Sequence, residues 1–389
     1  MGIPSVSLKI SVKETDAMLE TFSDIRVTAS TAKKNTKVRG RALVLTLRNT
    51  LTVHRSAVPP KLVSYIREHL NILNIERLVK ERAGLPVYGL PKYIKTLFVE
   101  NDSLQIPRGF QKNIQGWLAD NNILYGFVDE RPQLNQIEFS QRIALRSYQQ
   151  QAVDAFSNID NGVLVAPAAS GKTLMALALI AQKRQPAIIL THRRQIFEQW
   201  REQIENSLGI PKTRIGQISS TKKQALLPVT VAMVQTLGRM KDWKGLEEKF
   251  GTVILDECHH VPARMFRDVL SKFNCRYVYG LTATPYRKYN DGELISVYIG
   301  PIVHTVEKQE VEKTQKAKEN IFTLHAKHQV RSRSSSLQVP FGESLRHFPL
   351  IAKVISHDTS RNSLIANDIA STARDGNKCL VLTERKEHV

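Results

Sequence analysis

The sequence predicts an α/β protein: a doubly wound parallel sheet over residues 140–305, a small α+β domain before it, and the beginning of another sheet after it. Three observations predict this. Five short apolar runs, GVLVAP (162–167), AIILT (187–191), VTVAM (229–233), TVILD (252–256) and YVYGLTA (277–283), are each bounded by turn residues. Helix-like stretches such as TLMALALIAQKR and RRQIFEQWREQIENSL lie between them. A strand buried on both sides keeps no polar face, so continuous apolar runs separated by helices describe a parallel sheet covered on both faces. Finally, 389 residues with 42% hydrophobic and 24% charged side chains suit two or three soluble globular domains.

Along the chain, residues 1–135 read as a basic α+β domain that binds nucleic acid. No Asp or Glu occurs from Ile25 to Arg67, while Lys33, Lys34, Lys37, Arg39, Arg41, Arg48 and Arg55 accumulate. ALVLTLRNTLTVHR alternates by twos, as a half-buried strand or hairpin does. Leu62, Ile66 and Leu70 follow Pro60 at helical spacing, and Ile106–Phe110 leads into the helical segment QKNIQGWLADNN. Residues 306–348 are polar and basic and read as a linker. Residues 349–389 hold helical patterns and then the apolar run KCLVLTERKEHV, expected to be the first strand of an incomplete second domain.

The charge is lopsided, with 56 Lys and Arg against 36 Asp and Glu, a formal +20. That excess favours a polyanionic partner. Cys258, Cys275 and Cys379 are far apart, beside apolar runs, and are expected to be buried free thiols. The N-terminal residues lack a signal-peptide core and no run approaches ~20 apolar residues, so an intracellular, cytoplasmic and soluble protein is expected, without membrane contact.

Three motifs carry chemistry. Ala166-Pro167-Ala168-Ala169-Ser170-Gly171-Lys172-Thr173 follows a strand and precedes a helix, the context in which backbone N–H groups cradle phosphates. Lys172 can reach the β- and γ-phosphates and Thr173 can ligate Mg²⁺. The strand TVILD ends in adjacent carboxylates, Asp256 to hold Mg²⁺ and Glu257 to deprotonate the attacking water. His259 and His260 beside them offer poor tetrahedral geometry for zinc. A third strand ends in Thr282-Ala283-Thr284-Pro285, which alone reads as an ordinary strand-to-turn transition.

In this order the three motifs resemble those of the superfamily 2 helicases, DExH subgroup. The resemblance is strongest to the XPB-like and type III restriction-helicase (Res subunit) branch, which carries an I/L-P-R-G element like Ile106-Pro107-Arg108-Gly109. It covers about 140–305 and again 350–389, and implies RecA-like domains, ATP and Mg²⁺. It also implies that Gln149 reads adenine, accompanied by Arg146, and that Arg193, Arg194, Gln235 and Thr236 contact nucleic acid. His259, Thr282, Ala283 and Thr284 would couple the two sites. DNA is implied more than RNA, and a partner subunit or a further C-terminal segment would complete the second domain. Relatives carry Thr-Gly where this chain has Ala168-Ala169. Two other readings stand beside the ATP-dependent helicase or translocase: a nucleic-acid-binding protein with a weak ATPase, and the motor subunit of a restriction or defence complex.

Overall fold

In the computed structural model the described residues are 43–140, 142–243, 245–284, 292–311 and 353–381. Lys33, Lys34, Lys37, Arg39 and Arg41, Pro285, and most of the expected linker lie outside them. The described residues fall into two compact units, 43–73 with 93–311, and 74–92 with 353–381.

The larger unit contains two main sheets. The first begins with the expected hairpin, β1 (Val44–Leu47) and β2 (Thr50–His54), whose residues alternate between buried and half-buried. Helix α1 (Pro60–Leu70) starts on a proline, which needs no N–H partner in the first turn, and buries Leu62, Ile66 and Leu70. A short ladder joins β3 (Asn71–Leu73) to β4 (Tyr93–Lys95). Strands β5 (Phe98–Glu100), β6 (Ser103–Pro107) and β7 (Gly126–Asp129) complete a five-stranded sheet in the order β5-β6-β2-β1-β7. Arg48 on the hairpin pairs with Glu130 at 3.1 Å, and Arg55 is exposed.

The second sheet has eight strands. Five match the apolar runs: β8 (Asn161–Val165), β9 (Ala187–Thr191), β12 (Val229–Met233), β13 (Thr252–Leu255) and β14 (Tyr277–Thr282). Beyond the sequence expectation are β10 (Gly216–Ile218), β11 (Lys223–Gln224) and β15 (Ile302–Thr305), in the order β11-β10-β12-β9-β13-β14-β8-β15. Every pairing is parallel except β10 with β11. Alternate residues feed two cores. Leu164, Ile189, Ile254 and Tyr279 pack in one, which includes helices over Ser147–Ala155 (α4), Lys172–Lys183 (α5) and Arg194–Leu208 (α6). Val163, Leu190, Val253 and Val278 enter the other, with Val234–Arg239 (α7), Arg264–Leu270 (α8) and Gly292–Tyr298 (α9). Numbering of the remaining helices follows chain order: α2 is Ile75–Arg82, α3 is Gln111–Asp120 and α10 is Thr359–Arg374.

That second core also contains Leu45, Leu51, Ile66, Ile106 and Leu118, so apolar packing is continuous from the N-terminal sheet onto this face. The Ile106–Gly109 element lies at the junction. Arg108 is 4% exposed and donates to the carbonyls of Cys275 (2.7 Å) and Arg276 (2.8 Å), just before β14. A Cβ on Gly109 would strike the backbone of Ser296, Val297 and Gly300. Arg131 joins the same seam, contacting Asp129 and Asp160 at 2.7 Å each.

In the smaller unit, Asn74 caps α2 by accepting from Arg77 N, and α10 is capped by Asp358, which accepts from Ser360 N. Lys378–Val381 form no strand and Leu380 is 84% exposed, while residues 382–389, the rest of the run expected to form a strand, lie outside the described residues. One expectation is corrected: Cys379 is exposed, unlike Cys258 and Cys275. No helix among the described residues is long and apolar enough to cross a membrane.

Arg108→Met keeps the bulk and strands the buried Cys275 carbonyl, while Arg276 O keeps Arg131 as a donor at 3.0 Å. We expect it to lower unfolding free energy by about 1–3 kcal/mol in urea titrations. A change below about 0.5 kcal/mol, the range of neutral surface substitutions, would contradict the clasp.

Candidate active site

The carboxyl edge of the eight-stranded sheet brings the motifs together. Since β8, β14, β13, β9 and β12 are neighbours in that order, the segments following them stand in a row: phosphate loop, Thr282–Thr284, Asp256–His259, Arg193–Arg194 and Gln235–Thr236. Two backbone bonds carry the ladder past the strand ends, Ala166 N to Thr282 O at 2.9 Å and Asp256 N to Leu190 O at 3.1 Å. Ligands of open parallel sheets bind outside such carboxyl ends.

The phosphate loop leads into α5, whose first-turn N–H groups have no intrahelical acceptor. Gly171 sits at φ +84°, and an added Cβ there would collide with the Gln149 amide. Lys172 Nζ donates to the carbonyls of Ala166 (3.1 Å) and Pro167 (3.2 Å), across the mouth of the loop. Ala168 and Ala169 are exposed, Pro167 and Thr173 half-buried, and Ser170 buried with its hydroxyl on Pro167 O. Ala169 adopts φ +61°, a left-handed conformation that costs a residue with a Cβ roughly 1–2 kcal/mol.

Gln149 is 3% exposed, and both ends of its amide are engaged. Nε2 donates to Ser170 O (2.8 Å), and Oε1 accepts from Arg146 N (2.9 Å) to cap α4. Tyr148 OH donates to the same Ser170 carbonyl at 3.0 Å. In this geometry Gln149 and Tyr148 brace the phosphate loop. Tyr148 was not singled out from the sequence, although it adjoins Gln149 in the same motif.

The two carboxylates differ. Asp256 is buried; Trp200 Nε1 donates to its Oδ2 (2.8 Å) and Glu257 N to its Oδ1 (2.9 Å). Burial raises its carboxyl above the ordinary range, the Trp200 bond opposes this, and the neighbouring Glu257 charge adds to it. Glu257 is held below its ordinary value, chiefly by His259, whose Nδ1 is 3.1 Å from Oε2. Glu257 also has φ +51°. Such strain collects at functional sites. His259 Nδ1 lies 3.2 Å from Thr282 Oγ1, which in turn bonds Thr284 through both its N–H (3.2 Å) and its carbonyl (3.1 Å). Ala283 is the half-buried link between the two threonines. Trp200 lies in the helical stretch RRQIFEQWREQIENSL, where a tryptophan aligned with the other buried positions of an amphipathic helix reads as core.

Arg193 N-caps α6 and is exposed, as is Arg194. Gln235 Nε2 donates to His192 O (2.9 Å), tying the two nucleic-acid candidates together, and Thr236 is half-buried beside it.

The sequence profile of the type III restriction enzyme Res subunit matches residues 142–287. Over that range the chain is similar to the superfamily 2 DExH helicases of the XPB-like and Res-subunit type. It is 34% identical over 170 residues to the putative DNA 3'-5' helicase Rad25 of Haloarcula marismortui, covering 43% of this chain and 27% of that protein. It is 32% identical over 238 residues to the DNA 3'-5' helicase XPB of Kineococcus radiotolerans, covering 58% and 41%. The chain thus matches well under half the length of these relatives. In fold it is similar to the bacteriophage T4 UvsW structure, with a TM-score of 0.51 and 17% identity over 89% of this chain and 71% of that one. The helicase domain is therefore RecA-like in fold, as the motif order implied.

Two results are expected from this site. Ala169→Gly removes the left-handed strain and should raise stability by about 1 kcal/mol, while Ala168→Gly should not; equal effects in thermal melts would refute the strain. Trp200→Phe removes a bond that favours ionised Asp256, so the carboxyl should titrate at still higher pH. Carbon-13 NMR of labelled Asp256 reads this, and an unchanged or lower midpoint would contradict it.

Proposed function

We propose that this chain binds and hydrolyses ATP and couples hydrolysis to movement on, or remodelling of, duplex DNA. The observation that carries the reading is the row of motifs on one sheet edge, with the phosphate loop at one end, Glu257 in the middle, and Arg193, Arg194 and Gln235 toward the other end.

The first-turn N–H groups of α5 and Lys172 receive the phosphates. Thr173 and Asp256 would hold Mg²⁺, and the buried, doubly hydrogen-bonded Asp256 is oriented for that. When bound, the ion supplies positive charge to the β- and γ-phosphates. Glu257, kept ionised by His259, accepts the proton of the attacking water. Gln149 and Arg146 stand behind the phosphate loop, and reading adenine would require the Gln149 amide to exchange one of its present partners. Arg193 and Arg194 contact DNA phosphates, as does the segment of Gln235 and Thr236, which makes binding insensitive to sequence and sensitive to salt. DNA is favoured over RNA because the XPB and Rad25 relatives are named as DNA helicases. A partner subunit belongs to this reading, and a cytoplasmic setting fits the absence of a membrane-crossing helix among the described residues.

A second reading, a DNA-binding protein with weak ATPase, is favoured by one observation, the strained Ala169 in the loop.

Lys172→Ala should weaken ATP binding at least about tenfold by removing charge from the phosphates, whereas Glu257→Gln should keep binding and lose turnover. Calorimetry and phosphate release separate the two, and identical loss of binding in both would refute the division of roles. Arg193→Ala with Arg194→Ala should flatten the slope of log affinity against log salt by about 1.8, two phosphate contacts' worth. An unchanged slope would place the DNA elsewhere.

A further inference from the structure

Beside the nucleotide site stands a run of three imidazoles that the reaction above uses only in part. His192 follows β9, and its ring centroid is 4.1 Å from that of His260, at an interplanar angle of 55°. The His260 ring lies 4.3 Å from that of His259 and stacks on Phe266 at 5.6 Å and 28°. His259 then reaches Glu257 (3.1 Å) and Thr282 (3.2 Å).

The two ends of this run belong to different functions. At the Glu257 end is the base. At the other, the His192 carbonyl accepts from Gln235, and the next two residues along the chain are Arg193 and Arg194. The backbone of His192 is therefore fixed to both segments expected to touch DNA, while its ring rests on the neighbour of His259. Planar rings at 4.1–4.3 Å cannot slide independently; a displacement of His192 moves His260 or breaks the contact. Phe266 on a third side limits where His260 can go. His259 alone suffices to hold Glu257, so the pairing of Glu257 does not explain why a second imidazole should bridge to β9.

We propose that His192 and His260 are positioning residues: their ring contact links occupancy of the DNA segments to the nucleotide site through His259, which contacts Thr282 beside the phosphate loop. The inference rests on the helicase reading and adds to it a route between the two sites.

The linkage can be read without hydrolysis, because a binding coupling is the same from either side. The affinity of the full chain for a fluorescent, non-hydrolysable ATP analogue with Mg²⁺ is measured with and without saturating blunt duplex DNA. The unsubstituted protein should show a shift of roughly fivefold or more. His192→Ala and His260→Ala should each reduce the shift to less than about twofold, and their combination should do no more, as for two members of one contact. Each separate affinity should stay near that of the parent, since both side chains lie outside the phosphate loop and the arginine pair, and His192→Ala keeps the carbonyl to which Gln235 donates. His260→Phe, which keeps a planar ring and the fold, should retain most of the shift. Full coupling in His260→Ala would overturn the inference and leave the helicase reading intact. Coupling lost equally in His260→Phe and His260→Ala would also overturn a ring-contact route, as would an absent shift in a parent that binds both ligands. A parent that binds neither nucleotide nor duplex would bring down the helicase reading and the inference together.

Discussion

The hydrogen-bonded parallel ladder β9-β13-β14-β8 is the constraint on which the rest depends. Its strands are buried almost throughout, so polar side chains are excluded from their middles and chemistry can begin only where a strand ends. Because the ladder continues for one residue beyond the strands, through Ala166 to Thr282 and Asp256 to Leu190, the spacing of the motifs is set by backbone pairing. The phosphate loop and the acidic pair need no contact of their own to stand in register. Loss of a single ladder residue would shift one motif against the next, which a side-chain contact could not repair.

Strain is placed at the same edge and held from behind. Ala169, Gly171 and Glu257 all take positive φ, and only one is a glycine. Ser170 O, between the first two, accepts from both Tyr148 and Gln149, so two buried donors restrain the turn that the alanine disfavours. Glu257 is turned out of its strand toward His259, and the distortion leaves Asp256 inward on Trp200 and Glu257 on the imidazole. Two adjacent carboxylates thereby acquire opposite tendencies, one pushed up by burial and one pulled down by its partner. In the proposed ATPase, metal holding and proton acceptance then fall to different groups.

Much of this was legible in the residues. The five apolar runs became the five buried strands, and the alternation in ALVLTLRNTLTVHR and the Leu62-Ile66-Leu70 spacing became a hairpin and a helix. Strands β10, β11 and β15 were not legible, because they are two to four residues long and only partly buried, leaving no apolar run to see. In the apolar run near Val381 the described residues Lys378–Val381 form no strand, since apolarity marks a strand only where a neighbour supplies the ladder. The roles of Tyr148 and Trp200 required tertiary contacts that no spacing encodes. Arg108 is the instructive case. Its motif was visible, but a charged residue in a basic region reads as surface, whereas burial against two carbonyls makes it part of the seam with the helicase domain.

The central claim is that the phosphate loop, the acidic pair and the threonine motif surround one metal–nucleotide site. Iron(II) substituted for Mg²⁺, with peroxide and ascorbate, cuts backbone near the bound ion and reads that geometry directly. The account predicts nucleotide-dependent cleavage around 170–173, 256–257 and 282–284 together, suppressed by excess Mg²⁺. Cleavage confined to one of these segments, or independent of nucleotide, would contradict it.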